Sequence, residues 1–311
     1  MAMFKNYFIA GVILAVFLMT GCGRPMHRDK QVLMGSFVEV VSADPRAAGI
    51  VFAEIRRIED IFTKFDEDSE LSRLNRNGEA QVSPELFYLL KRAKDFWLAS
   101  NGAFDVTVAP LADLWGFTKR DYRIPADDRI KQTLEAVGSN KIVFLETNNV
   151  VKFTVSGMKI DLGAIVPGYA VDCAVSKLKE AGISSCLINC GGEVYGLGDR
   201  AGRKWSVGIR SAFGKNIGKK LELKDRAVAT SGDYEQYFNK GKRHYSHLID
   251  PRTGYPADSR ISSVTVAAPD CLTADALSTS VFIMGKEKGE EMAGRFPGVE
   301  IVVIQKTNGQ E

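Results

Sequence analysis

Residues 142–172 read Ile142-Val143-Phe144-Leu145-Glu146-Thr147-Asn148-Asn149-Val150-Val151-Lys152-Phe153-Thr154-Val155-Ser156-Gly157-Met158-Lys159-Ile160-Asp161-Leu162-Gly163-Ala164-Ile165-Val166-Pro167-Gly168-Tyr169-Ala170-Val171-Asp172. Two strand-like runs, 142–146 and 150–155, flank Thr147-Asn148-Asn149, and Ser156-Gly157 leads into a third, 158–162. Gaps this short are hairpin connections, so the spacing predicts an antiparallel meander. The third strand then passes through Gly163 and Pro167 into a helix that ends at Gly182. Such a turn brings unpaired N–H groups and the positive end of a helix dipole to a phosphate. It is not a P-loop, because no Gly-Lys-Ser or Gly-Lys-Thr follows, and no G-x-G-x-x-G fits.

Upstream, residues 32–41 predict an opening strand that bends at Gly35. Asp44-Pro45 starts a helix whose apolar face is Val51, Ile55, Ile58 and Phe62, and Ser83-Pro84-Glu85 starts another that Gly102 stops. Between them, residues 65–75 are polar and predict a solvated loop anchored by Leu71 and Leu74. Downstream, residues 186–190 predict a buried strand followed by Gly191-Gly192, where another group can approach the backbone closely. Strands are also expected at 205–210 and 227–230, and a half-buried one at 261–268. The last clear helix, 272–284, presents Ala274, Leu277, Val281 and Met284 to the core. Asp275 and Thr279, four apart, share one side of it.

The 41 basic and 38 acidic residues are scattered without a single-sign block, which gives no reason to expect nucleic acid. Cys173, Cys186, Cys190 and Cys271 are too few and scattered for a disulfide scaffold or zinc ribbon; Cys186 and Cys190, in an apolar strand-like run, read as buried thiols, with one disulfide left open. The first residues differ from the rest: Lys5, an apolar run from Tyr7 to Met19, then Thr20-Gly21-Cys22. That is the pattern of a secretory signal rather than of a membrane span, with a signal anchor that stays attached as the alternative. Met19-Thr20-Gly21-Cys22 resembles a bacterial lipobox. The resemblance implies a signal peptide over 1–21, lipidation of Cys22, a tether over 22–30 and a single folded domain over 31–311. The protein is therefore expected to be exported and lipid-anchored to a bacterial membrane, facing the periplasm.

The densest run of reactive groups is Ser246-His247-Leu248-Ile249-Asp250-Pro251-Arg252-Thr253-Gly254-Tyr255-Pro256. His247 reads as a general base beside Asp250 or as a structural histidine in a turn; Asp250 either orients it or starts the 251–254 turn. A transition-metal set of His244, His247 and Asp250 is disfavoured, because positions i and i+3 of a strand face opposite ways. A carboxylate and a hydroxyl at i and i+4, as in Asp275 and Thr279, make half of a magnesium site.

Met34-Gly35-Ser36, residues 65–75, Gly102-Ala103-Phe104-Asp105-Val106, residues 160–172, Ala229-Thr230-Ser231-Gly232-Asp233-Tyr234, residues 247–254 and residues 273–279 occur in one order along the chain. In that order they resemble the ApbE family of FAD:protein FMN transferases. The resemblance implies an α+β fold with mixed or antiparallel sheets, packed helices and two lobes around an FAD cleft. It implies Mg2+-dependent cleavage of FAD, with transfer of FMN through a phosphoester to a Thr or Ser hydroxyl of an acceptor flavoprotein and release of AMP. Carried over by position, Asp275, Thr279 and an oxygen of Ala164 hold the metal, and His247 is the base. Met34, Phe65, Asn75, Ala103, Phe104, Asp105, Asp161 and Ile249 form or adjoin the FAD site. One position departs: Pro167 stands where the family usually has a charged residue, and it supplies neither a polar side chain nor an N–H. An Mg2+-dependent FAD pyrophosphatase and a non-catalytic FAD-binding lipoprotein are the competing readings.

Overall fold

The computed structural model describes residues 25–210 and 217–306, so the signal segment and Cys22 lie outside the described residues. In chain order the elements are β1 (His27–Leu33), β2 (Ser36–Ser42), α1 (Ala47–Phe62), α2 (Glu70–Asn77), β3 (Glu79–Gln81), α3 (Pro84–Ala99), α4 (Ala109–Trp115), α5 (Asp127–Leu134), β4 (Ile142–Leu145), β5 (Val150–Phe153), α6 (Val166–Glu180), β6 (Cys186–Cys190), β7 (Glu193–Leu197), β8 (Trp205–Arg210), β9 (Ile217–Leu223), β10 (Arg226–Gly232), β11 (Tyr237–Lys240), β12 (Arg243–Ser246), β13 (Ile261–Ala268), α7 (Cys271–Met284), α8 (Lys286–Ala293) and β14 (Glu300–Gln305). A seven-stranded sheet runs β1-β2-β6-β7-β10-β13-β14, with every neighbouring pair antiparallel. A small sheet runs β3-β5-β4, and β8–β9 and β11–β12 are separate hairpins. The fold is α+β, as expected. Among the described residues no helix is long and apolar enough to cross a membrane.

The two-residue period of the strands sorts side chains onto two faces of the large sheet. Val38, Val40, Ile188, Ala227, Ala229, Val264 and Val266 belong to the main core, shared with α1, α6 and α7. Their neighbours Val41, Val194, Val228 and Ala267 pack on the opposite face against Trp205 and Leu223 of the β8–β9 hairpin. That second cover is why β13 is buried at all eight positions rather than half-buried. A third cluster, built on Leu111, Trp115, Phe117, Ile130, Val137 and Ile249, forms a separate lobe with β11–β12. Trp115 ties it to the 250–254 turn by donating its indole N–H to the Gly254 carbonyl at 2.8 Å.

Four local expectations are corrected. The opening strand is a hairpin, because Met34 and Gly35 both take positive φ (52° and 71°) and reverse the chain. Its first strand begins at His27, inside the span expected to be a tether; residues 27–30 are exposed edge-strand positions, which tolerate polar side chains. Residues 70–77 form α2 instead of a loop: Ser69 caps it by accepting from Ser72 N, and Leu71 and Leu74 are fully buried. Two such leucines contribute about 1.5–3 kcal/mol each, enough to fold eight polar-looking residues that would not be helical alone. Finally, residues 158–162 do not pair as a third meander strand, and that place in the small sheet belongs to β3.

Residues 158–162 are nonetheless extended, with Met158, Ile160 and Leu162 buried on one side. What replaces the ladder is the Asn75 carboxamide. It donates to Ile160 O at 2.9 Å and accepts from Ile160 N at 2.7 Å, as a neighbouring peptide would, while Asp161 N reaches Val106 O at 2.7 Å. Asn75→Ala would leave both polar groups of a fully buried peptide unpartnered, at about 1–3 kcal/mol each. We expect a loss of about 2–4 kcal/mol in urea unfolding, and a change under about 0.5 kcal/mol would show that another group carries the segment.

Candidate functional site

A cleft of about 580 Å3 opens between the main core and the third cluster, within the usual range for a small-molecule site. It brings together Met34, Phe65, Ala103, Phe104, Asp105, Asp161, Ala164, His247, Ile249, Asp275 and Thr279, residues spread over more than two hundred positions of sequence. Asn75 is the exception; it stands behind the cleft wall as the clamp on Ile160. The Phe104 ring is core, edge-on to Phe96, whereas the Phe65 ring is 76% exposed at the mouth and free to meet a planar ligand. Asp105 is buried, and its carboxylate is committed inward to Thr107 N, Thr107 Oγ1, Ser139 N and Ser139 Oγ. Met34 is set by its N–H donating to Glu59 at 2.8 Å.

One end of the cleft is built on α7. Asp275 is 5% exposed and Thr279 8%, one turn apart, and the helix around them is buried on every side rather than along one stripe. Gly168 of α6 lies so close that a Cβ there would meet Cys271 O at 2.5 Å, and this approach lets Gly168 N donate to Asp275 Oδ2 at 3.0 Å. Burial away from water pushes the Asp275 carboxyl up to about 7, against the Gly168 hydrogen bond, with nearby Glu235 and Asp172 adding to the rise. Burial and the Asp275 charge push Glu193 up in the same way. Neighbouring carboxyls that resist ionisation together form a site whose charge a divalent cation would balance.

The hydroxyls beside Asp275 have a fixed direction. Ser278 Oγ donates to Asp275 O at 2.9 Å, so it accepts from Ser231 Oγ at 2.8 Å, which in turn accepts from Thr279 Oγ1 at 3.0 Å. Thr279 therefore keeps its lone pairs for the cleft. Asp275 and Thr279 thus turn two oxygens toward a cleft that Ala164 also lines, and oxygens are the donors magnesium takes.

His247, which also lines the cleft, follows β12. Its Nδ1 lies 3.1 Å from the Gln236 carbonyl, which can only accept, so Nδ1 carries the hydrogen and Nε2 is left as a lone-pair base. Burial lowers its pKa from the usual 6.5, opposed by that hydrogen bond and by the charge of Asp161. Asp250 does not orient His247: it accepts from Arg252 N at 2.9 Å and pairs with the Arg252 guanidinium, and its carbonyl closes the turn to Gly254 N. His244 points elsewhere, to Asp233 O and Asn239 Oδ1, which removes the three-residue metal set.

The phosphate-binding role expected of the strand-to-helix turn is narrowed, because the first donors of the helix itself are taken. Val166 N is bonded to Leu162 O, Pro167 has no N–H, Gly168 N is on Asp275 and Tyr169 N is on Ile165 O. These donors of α6 are all committed within the fold. The cysteines at 173, 186, 190 and 271 are free thiols.

Sequence reasoning missed Glu193, Glu235 and Lys64, which also line the cleft. Glu193 directly follows the Gly191-Gly192 pair, Glu235 follows the Thr230 to Tyr234 run, and Lys64 precedes Phe65. Each sits beside a stretch that reads as unusual, so adjacency was the available signal.

The family model of the ApbE family matches residues 34–303. The FAD:protein FMN transferase of Klebsiella pneumoniae is 33% identical over 283 residues, covering 88% of each chain. That of Vibrio cholerae is 31% identical over 98% of this chain and 95% of its own. Among solved structures, the ApbE protein of Thermotoga maritima superposes with a TM-score of 0.83 at 33% identity, over 90% of this chain and 94% of that one. The flavin transferase ApbE of Vibrio cholerae gives 0.81 at 30%, over 91% and 95%.

A carboxyl whose pKa is raised in the folded state binds its proton more tightly there than when unfolded. Its stabilising contribution is therefore complete below the ordinary value of 3.8 and lost as pH rises through about 7. Without divalent cations, the melting temperature should fall between pH 5 and pH 8, and Asp275→Asn should remove much of that fall. Adding Mg2+ should raise the melting temperature more at pH 8 than at pH 5 in the parent protein, and not in Asp275→Asn. Parallel melting profiles for the two proteins, with and without Mg2+, would remove Asp275 from this role.

Proposed function

This chain belongs to the ApbE family, and on that premise we propose that it is an FAD:protein FMN transferase. The observation that carries the reading is the division of one cleft between a neutral imidazole base and a buried oxygen donor set. The acceptor is a flavoprotein subunit that offers a Thr or Ser hydroxyl. In the proposed reaction His247 Nε2 takes the hydroxyl proton, and the freed oxygen attacks the phosphorus on the FMN side of the FAD pyrophosphate. A phosphoester forms, the P–O–P bond breaks, and AMP leaves with the bonding electron pair.

Mg2+ held by Asp275, Thr279 and the Ala164 carbonyl would supply the positive charge that phosphoryl transfer from an anhydride requires. The residues fit that ion: Asp275 keeps one oxygen beyond its bond to Gly168, and the hydroxyl chain turns the Thr279 lone pairs outward. Gln236 holds the imidazole in its basic tautomer. Phe65 would meet a face of the isoalloxazine or adenine ring, and Ile249 brings the third cluster to the cleft lining. The leader of residues 1–21 and lipidation at Cys22 would place the enzyme on the periplasmic side of a membrane, where exported acceptors are found.

Incubation with FAD, Mg2+ and an acceptor carrying the target Thr is expected to give flavin fluorescence on the denatured acceptor and stoichiometric AMP. FMN and AMP without labelled acceptor would establish a pyrophosphatase instead, and neither product would leave only a binding protein. His247→Ala should slow transfer by about 10²-fold or more with FAD affinity nearly unchanged. Because burial lowers the His247 pKa, activity should persist on the acid side to below about pH 6.5. An acid limb at or above that value would assign the proton to another group.

A further inference from the structure

We infer that Lys64 binds the FAD pyrophosphate, an assignment that rests on the transferase reading above. A flavin dinucleotide brings a doubly charged diphosphate into the cleft, and that charge needs donors. The start of α6 cannot provide them, since Val166 N, Gly168 N and Tyr169 N are bonded within the protein and Pro167 has none. The cleft walls add little else that is positive: Glu59, Asp105, Asp161, Glu193, Glu235 and Asp275 line it, against Lys64 and Arg120 among the described residues.

Of the two cations, Arg120 is exposed, whereas Lys64 is held and partly sheltered. Its ammonium pairs with Asp161 Oδ2, and Asp161 Oδ1 accepts from Gly163 N at 2.9 Å, so Lys64 is fastened to the segment that presents Ala164. The same Nζ lies 5.3 Å from the centre of the exposed Phe65 ring. Through its own contacts Lys64 thus joins an aromatic surface suited to a planar ring to the segment that carries Ala164, one of the donors proposed for the metal. A ring system joined to a diphosphate requires such a junction. An ammonium carries three donors, so Lys64 can keep Asp161 and still give hydrogens to phosphate oxygens. Asp161, in turn, keeps the side chain extended into the cleft before substrate arrives.

The test compares ligands that differ in phosphate. Lys64→Gln keeps a hydrogen-bond donor for Asp161 and removes the charge. Flavin fluorescence titrations in EDTA, which prevents turnover, would give dissociation constants for FAD and for riboflavin, with ADP measured by competition. Lys64→Gln should weaken FAD and ADP at least tenfold and leave riboflavin within about twofold, the pattern of a lost charge-assisted contact to phosphate. Lys64→Arg should retain most of the FAD affinity. Equal weakening of FAD and riboflavin would overturn the inference, because Lys64 would then act only by shaping the cleft, and unchanged FAD affinity would overturn it directly. If Lys64→Gln folds poorly by melting temperature, the salt dependence of FAD against riboflavin binding in the parent protein decides: a steeper dependence for FAD is expected, and equal slopes would overturn the inference. A parent protein that fails to bind FAD would instead sink the transferase reading.

Discussion

A carboxylate in the middle of a hydrophobic core is the constraint on which this structure turns. Asp275 sits on a helix with no solvent face, and among the described residues Gly168 N donates to its carboxylate. Taking a charge out of water without a partner is strongly unfavourable. The surroundings accommodate it in two ways: the carboxyl holds its proton to about pH 7, and α6 and α7 approach closely enough at Gly168 to place a backbone donor on it. Larger residues at 168 would separate the two helices. The site and the packing of the main core are therefore one arrangement.

The base and the oxygen donor set belong to different bodies of side chains. Asp275 and Thr279 are rooted in the main core, whereas His247 and Ile249 lie where β12 runs into the turn that Trp115 and Arg252 brace. The relative placement of the halves is what a dinucleotide spanning the cleft would read.

Much of this was legible in the chain, for identifiable reasons. Helices α3, α6 and α7 announce themselves through Ser83-Pro84, the Gly182 stop and apolar spacing, and the pairing of Asp275 with Thr279 follows from helical geometry alone. The misreadings share a cause. Residues 70–77 look polar because just two leucines hold them, and residues 158–162 look like a strand because their backbone is satisfied by a side chain many residues away. Asp250 was ambiguous because both of its readings need only local sequence, and the structure gives it to Arg252. Lys64 was invisible because its meaning depends on Asp161.

The run of hydroxyls from Thr279 through Ser231 to Ser278 has an electrical polarity as well as a shape. Its orientation is set at the far end, by a helix carbonyl that accepts and cannot donate, and each hydroxyl passes that choice to the next. What the cleft sees at Thr279 is thus decided two side chains away, at a serine that does not line the cleft. A protein of this design can change its preference for cations over neutral donors without altering a single atom of the cavity wall. Such changes would leave the shape of the site intact and be invisible to any comparison of lining residues.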